Sequence, residues 1–446
     1  MNTRVKLGRL VAVFAAVVVG GGVITPTSAS AIPPNFDHVV YWNDVLLDAF
    51  RTSNGPPTTL SRAGAMMHLA MYDTSISMGG TGAPYIAKVS PIPNFSYDRD
   101  TNLDVAAYDV LRTLFPAQAS YFTARFNDAR QADPPIGEPG PEGWSSSIGE
   151  TAARNIINAR ANDGSTNNAG YTASNTAGQW RPTGSGAAVG PNWGLVKPFA
   201  LTAGSQFRPP LPGGFGTVSA MLTSSAYAAQ VNEVKRLGSA TAPLTDRNAD
   251  QTQQAFFWAN DVSSTYKPPG QLFEHTQIVA SQRTTDTPRL FALVAMAMAD
   301  VAIASWDAKY NTSIDLWRPE TAIAEPQSDG NAATVPNAAW RPLSVDRNGT
   351  RFSPPFPAYI SGHASFAGAW AGVMKRYYGT DAIGFVATTE DPNAVGVTRS
   401  FTSFSAAATE NARSRIYLGV HYQWDADAGL STGDAVANRV FNTYLR

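Results

Sequence analysis

Residues 287–308, TPRLFALVAMAMADVAIASWDA, decide the fold class. A half-buried strand alternates apolar and polar residues, whereas these apolar residues fall on every face of a 3.6-residue period. The segment therefore predicts a helix buried on all sides, with Pro288 at its start, where a missing N–H is tolerated. Working outward, the same period recurs over 37–51, 61–75, 102–114, 120–132 and 146–161, and the Gly55-Pro56-Pro57 turn separates the first two. It returns over 218–237, 246–260, 361–378, 400–417 and 424–444. Strand-like alternation is scarce and no internal repeat is visible. Residues 162–216 are rich in Gly, Asn, Ser and Pro and read as a long irregular segment packed over the surface. The expectation is an all-α chain, a single domain of packed helical bundles over 32–446, with its chemistry concentrated at about 245–446.

The 446 residues are 43% hydrophobic and 15% charged, which suits a chain with a sizeable core. A formal net charge of -1 offers no basic field for nucleic acid or an anionic membrane, so any anion site must arise from a few convergent cations. The absence of cysteine excludes disulfides, thiolate metal sites and cysteine nucleophiles. At the start, Arg4, Lys6 and Arg9 precede an apolar run from Leu10 to Ile24 and the pattern Ala29-Ser30-Ala31. This reads as a secretory signal peptide, residues 1–31, cleaved near Ala31 to give a secreted protein of net charge -4. The competing reading, a membrane anchor, asks for roughly 20 apolar residues. No later stretch is expected to span a bilayer.

Three segments of the C-terminal third carry reactive residues. WDAKYNTSIDLWRP holds Lys309 and Arg318; PPFPAYISGHASF holds Ser361, Gly362 and His363; SRIYLGVHYQWD holds Arg415, His421 and Asp425. Together they supply three cations, a hydroxyl, a glycine amide and two imidazoles, an inventory suited to a tetrahedral or trigonal-bipyramidal oxyanion. Guanidinium groups offer forked donors to such oxygens, and lysine adds a point charge. Gly362 permits close backbone approach where a helix begins, with Ser361 as its N-cap or as a hydroxyl donor. On one continuous helix Arg415 and His421 would lie about 240° apart, so a helix ending near Gly419 is needed to turn His421 inward.

These segments resemble the signature of the vanadium haloperoxidases and of the type 2 phosphatidic acid phosphatase superfamily that shares their fold: Lys and Arg-Pro, then Ser-Gly-His, then Ser-Arg, five residues, His, three residues, Asp. Ser414-Arg415, His421 and Asp425 complete the third part. Ser361-Gly362-His363 supplies the second, with Ile360 where proline is usual. The first departs further, because eight residues separate Lys309 from Arg318 where six is the commoner number. Seven helical steps return to nearly the same face and nine reach the opposite one, so an extra loop at Asn311-Thr312-Ser313 is expected. Trp306 and Phe356 resemble the halide-pocket aromatics of the chloroperoxidase branch, and Asp261 an aspartate that orients one arginine.

The resemblance implies a vanadate cofactor. His421 would bind vanadium, Lys309, Arg318, Ser361, Gly362 and Arg415 would hold the vanadate oxygens, and Asp425 would orient from behind. His363 would deprotonate hydrogen peroxide, and halide oxidation would give hypohalous acid for an organic acceptor. A secreted acid phosphatase with a phospho-histidine intermediate is the alternative, and a non-catalytic oxyanion-binding protein a third. Bland readings stand beside these: His38, His68 and His275 as structural histidines, Trp306 and Phe356 as core aromatics, Asp261 as a helix-end charge.

Overall fold

The apolar segment forms the centre of the molecule. The computed structural model describes residues 32–184, 186–241 and 245–446; the leader expected at 1–31 lies outside them. The first half supplies α1 (His38–Ser53), α2 (Pro57–Ser77), α3 (Arg99–Leu114), α4 (Ala119–Ala132) and α5 (Ser147–Arg160). After the irregular segment come α6 (Val218–Leu222), α7 (Ser225–Leu237), α8 (Ala249–Phe257), α9 (Lys267–Ala280) and α10 (Thr287–Tyr310). The C-terminal part adds α11 (Pro319–Ala324), α12 (Gly362–Tyr378), α13 (Phe404–Tyr417) and α14 (Gln423–Thr443). One antiparallel pair, β1 (Phe385–Ala387) with β2 (Arg399–Phe401), is the only sheet among the described residues. The fold is all-α.

Helix α10 is buried from Leu290 to Lys309 and packs on α2, α12 and α14, so one core joins the two halves of the chain. Contrary to the sequence expectation, it is long and apolar enough to cross a membrane. That window is wholly buried inside the protein, as in the core helix of a bundle. The irregular segment clasps it: Asp300 accepts the amides of Phe199, Ala200 and Leu201 at 2.6–2.8 Å. Three backbone donors satisfy a carboxylate that would otherwise be costly to bury.

Helices α12 and α14 meet most closely. A Cβ on Gly433 would strike the Ser365 carbonyl, and one on Gly429 would stand 2.8 Å from the Ser361 carbonyl. Small residues there bring the start of α12 against the start of α14, which positions the candidate site.

Several elements differ from expectation. The stretch 218–237 is two helices, because the Ser224 hydroxyl accepts the Tyr227 amide and restarts the helix. Residues 399–401 are β2, and α13 begins only after Ser403 caps it. Helices α9 and α11 were not anticipated.

Candidate anion site

Ser361, the N-cap of α12, accepts the Ala364 amide at 3.4 Å, and its own amide donates to the Asp425 carbonyl at 3.0 Å. This bond ties the first turns of α12 and α14 together and brings the Ser-Gly-His and His-Asp segments to one place. The Gly362 amide begins a helix and so has no intrahelical acceptor. Helix α13 ends at Tyr417, and Gly419, at φ 82°, reverses the chain. A side chain there would also meet the Gly238 carbonyl at 2.5 Å. His421 thereby leaves the helical path and turns back toward Arg415 and Arg318.

His421 is 2% exposed. Its Nδ1 lies 3.0 Å from Asp425 Oδ2, and its Nε2 lies 3.1 Å from Arg318 Nη1. A guanidinium can only donate, so Nε2 carries the lone pair and Nδ1 the proton given to Asp425. Burial, then Arg318, Lys309, Arg415 and His363, hold the imidazole well below its usual pKa. It is a neutral ring with a lone pair aimed among cations. Burial raises Asp425 to about 7, against the Tyr422 amide and the nearby Lys309 and Arg318.

The two arginines are fully buried. Arg318 donates from Nε to the Phe356 carbonyl and from Nη1 to the Val420 carbonyl, both at 2.8 Å, while Nη2 has no partner. Burial lowers it to about 9. Arg415 reaches the Trp258 carbonyl at 3.3 Å and Asp261 Oδ2 at 3.2 Å, and its Nε has no partner. His363 donates from Nε2 to the Ala259 carbonyl at 3.0 Å and stands 3.8 Å from Asp261 Oδ2. Burial and then Arg415 lower it to about 4, so it is neutral near pH 7. The helix-end reading of Asp261 is set aside by this placement between Arg415 and His363.

Lys309 is buried on the last turn of α10, and the helix ends at Tyr310 with Asn311 as C-cap, so the extra residues form a loop. Its ammonium donates to the carbonyls of Pro357, Ala358 and Ile360 at 2.6, 3.2 and 2.6 Å. All three protons are thus used to hold the loop before Ser361, and a bound oxygen would have to displace one of these carbonyls. Burial, then Arg318, pushes its pKa far down. Trp306 and Phe356 pack with centroids 5.0 Å apart, and Lys309 Nζ lies 5.7 and 5.0 Å from the two rings. A cleft of about 290 Å³, lined by Pro354, Pro355, Phe356, Val189 and Asp261, opens on this side.

The residues fit a vanadate- or phosphate-sized anion. Two buried guanidinium nitrogens lack partners, and the positive groups outnumber the carboxylates. An uncompensated buried cation is costly, and an anion relieves it. Sequence reasoning missed the carbonyls of Phe356, Val420, Trp258 and Ala259 that aim these side chains; only the polar Asn260-Asp261 pair beyond α8 hinted at that loop.

Fold and site together define a helical protein in which buried guanidinium groups and neutral imidazoles converge on one place. Residues 289–446 match the family model of the VCPO second helical-bundle domain. A vanadium chloroperoxidase of Curvularia inaequalis is 32% identical over a region covering 41% of this chain and 37% of that protein. The matched stretch thus spans little over a third of that relative's length. Among solved structures, a bacterial vanadium-dependent iodoperoxidase superposes with a TM-score of 0.72 at 23% identity, covering 91% of this chain and 95% of that one. A bacterial vanadium-dependent chloroperoxidase gives 0.65 at 17% identity, covering 87% and 92%. Those likenesses establish the fold. The C-terminal bundle is thus similar to the second helical-bundle domain of vanadium chloroperoxidases, and the chain as a whole shares the fold of the bacterial vanadium-dependent enzymes.

Proposed function

We propose that the chain is a vanadate-dependent haloperoxidase, converting hydrogen peroxide, a halide ion and a proton to hypohalous acid and water. The observation that carries this reading is the neutral His421 Nε2, fixed by Asp425 behind it and surrounded by cations that no protein anion fully answers. Arg318 Nη2, Arg415 Nε, the Ser361 hydroxyl and the Gly362 amide would hold the vanadate oxygens, with Lys309 exchanging a carbonyl for one of them. When bound, vanadate supplies a pentavalent Lewis acid at which peroxide becomes electrophilic toward halide. His363, neutral and held by the Ala259 carbonyl, accepts the peroxide proton. Trp306 and Phe356 wall the halide from water, and the adjoining cleft admits peroxide and an organic acceptor. The similarity to vanadium enzymes over the C-terminal bundle favours this reading over phosphate-ester hydrolysis by the same cage. Export after cleavage near Ala31 is part of the proposal, and the amino-terminal sequence of the purified protein tests it.

Purified protein loaded with orthovanadate should brominate a phenol-red type dye in the presence of peroxide and bromide. His421→Ala should abolish vanadate binding and bromination together. His363→Ala should retain vanadate but lose about 10²–10⁴-fold in turnover. Vanadate-inhibited hydrolysis of p-nitrophenyl phosphate without dye bromination would instead identify a phosphatase.

A further inference from the structure

His38 stands at the first position of α1, far along the chain from every residue of the anion site. It is 3% exposed, and Phe36 stacks on its ring with centroids 4.0 Å apart. Nδ1 lies 2.7 Å from Asp104 Oδ1, a buried oxygen that also accepts the Trp42 indole at 2.8 Å. Asp104 thus holds a proton on Nδ1, and Nε2 presents a lone pair whenever the ring is neutral. Histidine ligands of metals are oriented in this way by a carboxylate behind the ring.

Nε2 faces Asp133 Oδ2 at 3.1 Å. Two acceptors at that distance require a cation between them, either a proton or a metal ion. Bonds of about 2.1 Å meeting at tetrahedral or octahedral angles place neighbouring ligand atoms about 2.9–3.4 Å apart. The observed distance fits the edge of such a polyhedron. A proton bridge needs one carboxylate, yet a second is present: ligand atoms of His38, Asp100 and Asp133 all lie within 4.8 Å of one another. Among the described residues Asp100 otherwise pairs with Arg99, at 3.2 Å on the surface, and Asp133 is half-buried. Water has access to complete the shell.

We propose that His38, Asp100 and Asp133 bind one divalent transition-metal ion of the zinc class, linking the start of α1, the first turn of α3 and the end of α4. One nitrogen and two carboxylate ligands suit a borderline ion better than calcium or magnesium, which prefer oxygen throughout. In a chain without cysteine, the ion is a cross-link of the kind a disulfide provides elsewhere. It joins the ends of three helices that pack on one another.

Untagged protein, stripped with a chelator and freed of it, is titrated with zinc while bound metal and melting temperature are followed. One zinc per chain is expected, with a melting temperature that climbs as free zinc rises. Asp100→Asn and Asp133→Asn, both at partly exposed positions, should each weaken binding at least about tenfold. The double variant should fold and bind none, whereas His421→Ala should still bind one ion, which separates this site from the anion cage. Absence of bound zinc at micromolar free ion, or undiminished binding by the double aspartate variant, overturns the proposal.

Discussion

Arg160 and Arg318 are both buried, and both lay a guanidinium over a phenylalanine ring, Phe199 at 3.9 Å and Phe356 at 4.8 Å. Their surroundings differ in one respect. Arg160 meets Asp163 from Nε at 2.9 Å and gives its remaining donors to the Pro198 and Lys197 carbonyls, with Arg62 on the same carboxylate. Each of its donor groups has a partner within the protein. Arg318 meets two carbonyls and a lone-pair nitrogen, touches no carboxylate, and keeps Nη2 without a partner. A closed charge cluster holds the fold, whereas an open one is completed from outside. Burial alone does not separate structural from functional arginines; unanswered charge does.

Substitution at the two positions should divide along that line. Arg160→Met takes one of two guanidinium partners from Asp163 and frees two carbonyls, so unfolding stability should fall by about 1–3 kcal/mol with vanadate affinity unchanged. Denaturant unfolding and vanadate titration of the same samples check this. Arg318→Met should do the reverse. Vanadate-dependent bromination should drop about 10²–10³-fold, as when one donor to a developing charge is removed. Its loss of stability should be smaller than that of the Arg160 variant, because no hydrogen-bonded carboxylate loses a partner. If Arg160→Met weakened vanadate binding as much as Arg318→Met, the distinction between closed and open clusters would fail.

The same contrast explains what could be read in the sequence. The apolar run of α10 announced a central helix because burial on all sides leaves a local mark. The signature around Ser361, Arg415 and His421 is likewise local, and the end of α13 near Gly419 followed from helix geometry alone. Helix α9 was hidden because Lys267-Pro268-Pro269-Gly270 looks like a turn, although prolines are tolerated in a first turn. The break between α6 and α7 depends on one serine hydroxyl inside a continuous helical pattern. Nothing local reveals that Lys309 spends its protons on carbonyls about fifty residues onward, or that Asp261 meets Arg415 across 154 residues. Such pairings exist only once the helices have packed.

Asp261 offers the finest test, since it half-closes the open cluster. Its Oδ2 binds Arg415 at 3.2 Å and faces His363 at 3.8 Å, and at 21% side-chain exposure the solvent weakens both interactions. Asp261→Asn keeps the shape while removing the charge. Arg415 retains the Trp258 carbonyl and should stay near its place, so vanadate affinity should weaken only about tenfold. The carboxylate favours the protonated form of His363, and Arg415 opposes it. Its loss should therefore lower that histidine's pKa further and move the acid limb of the bromination pH profile to lower pH. A purely structural role for Asp261 would reduce the rate equally at every pH. A profile of unchanged shape would therefore remove Asp261 from proton handling and leave it as a brace for Arg415.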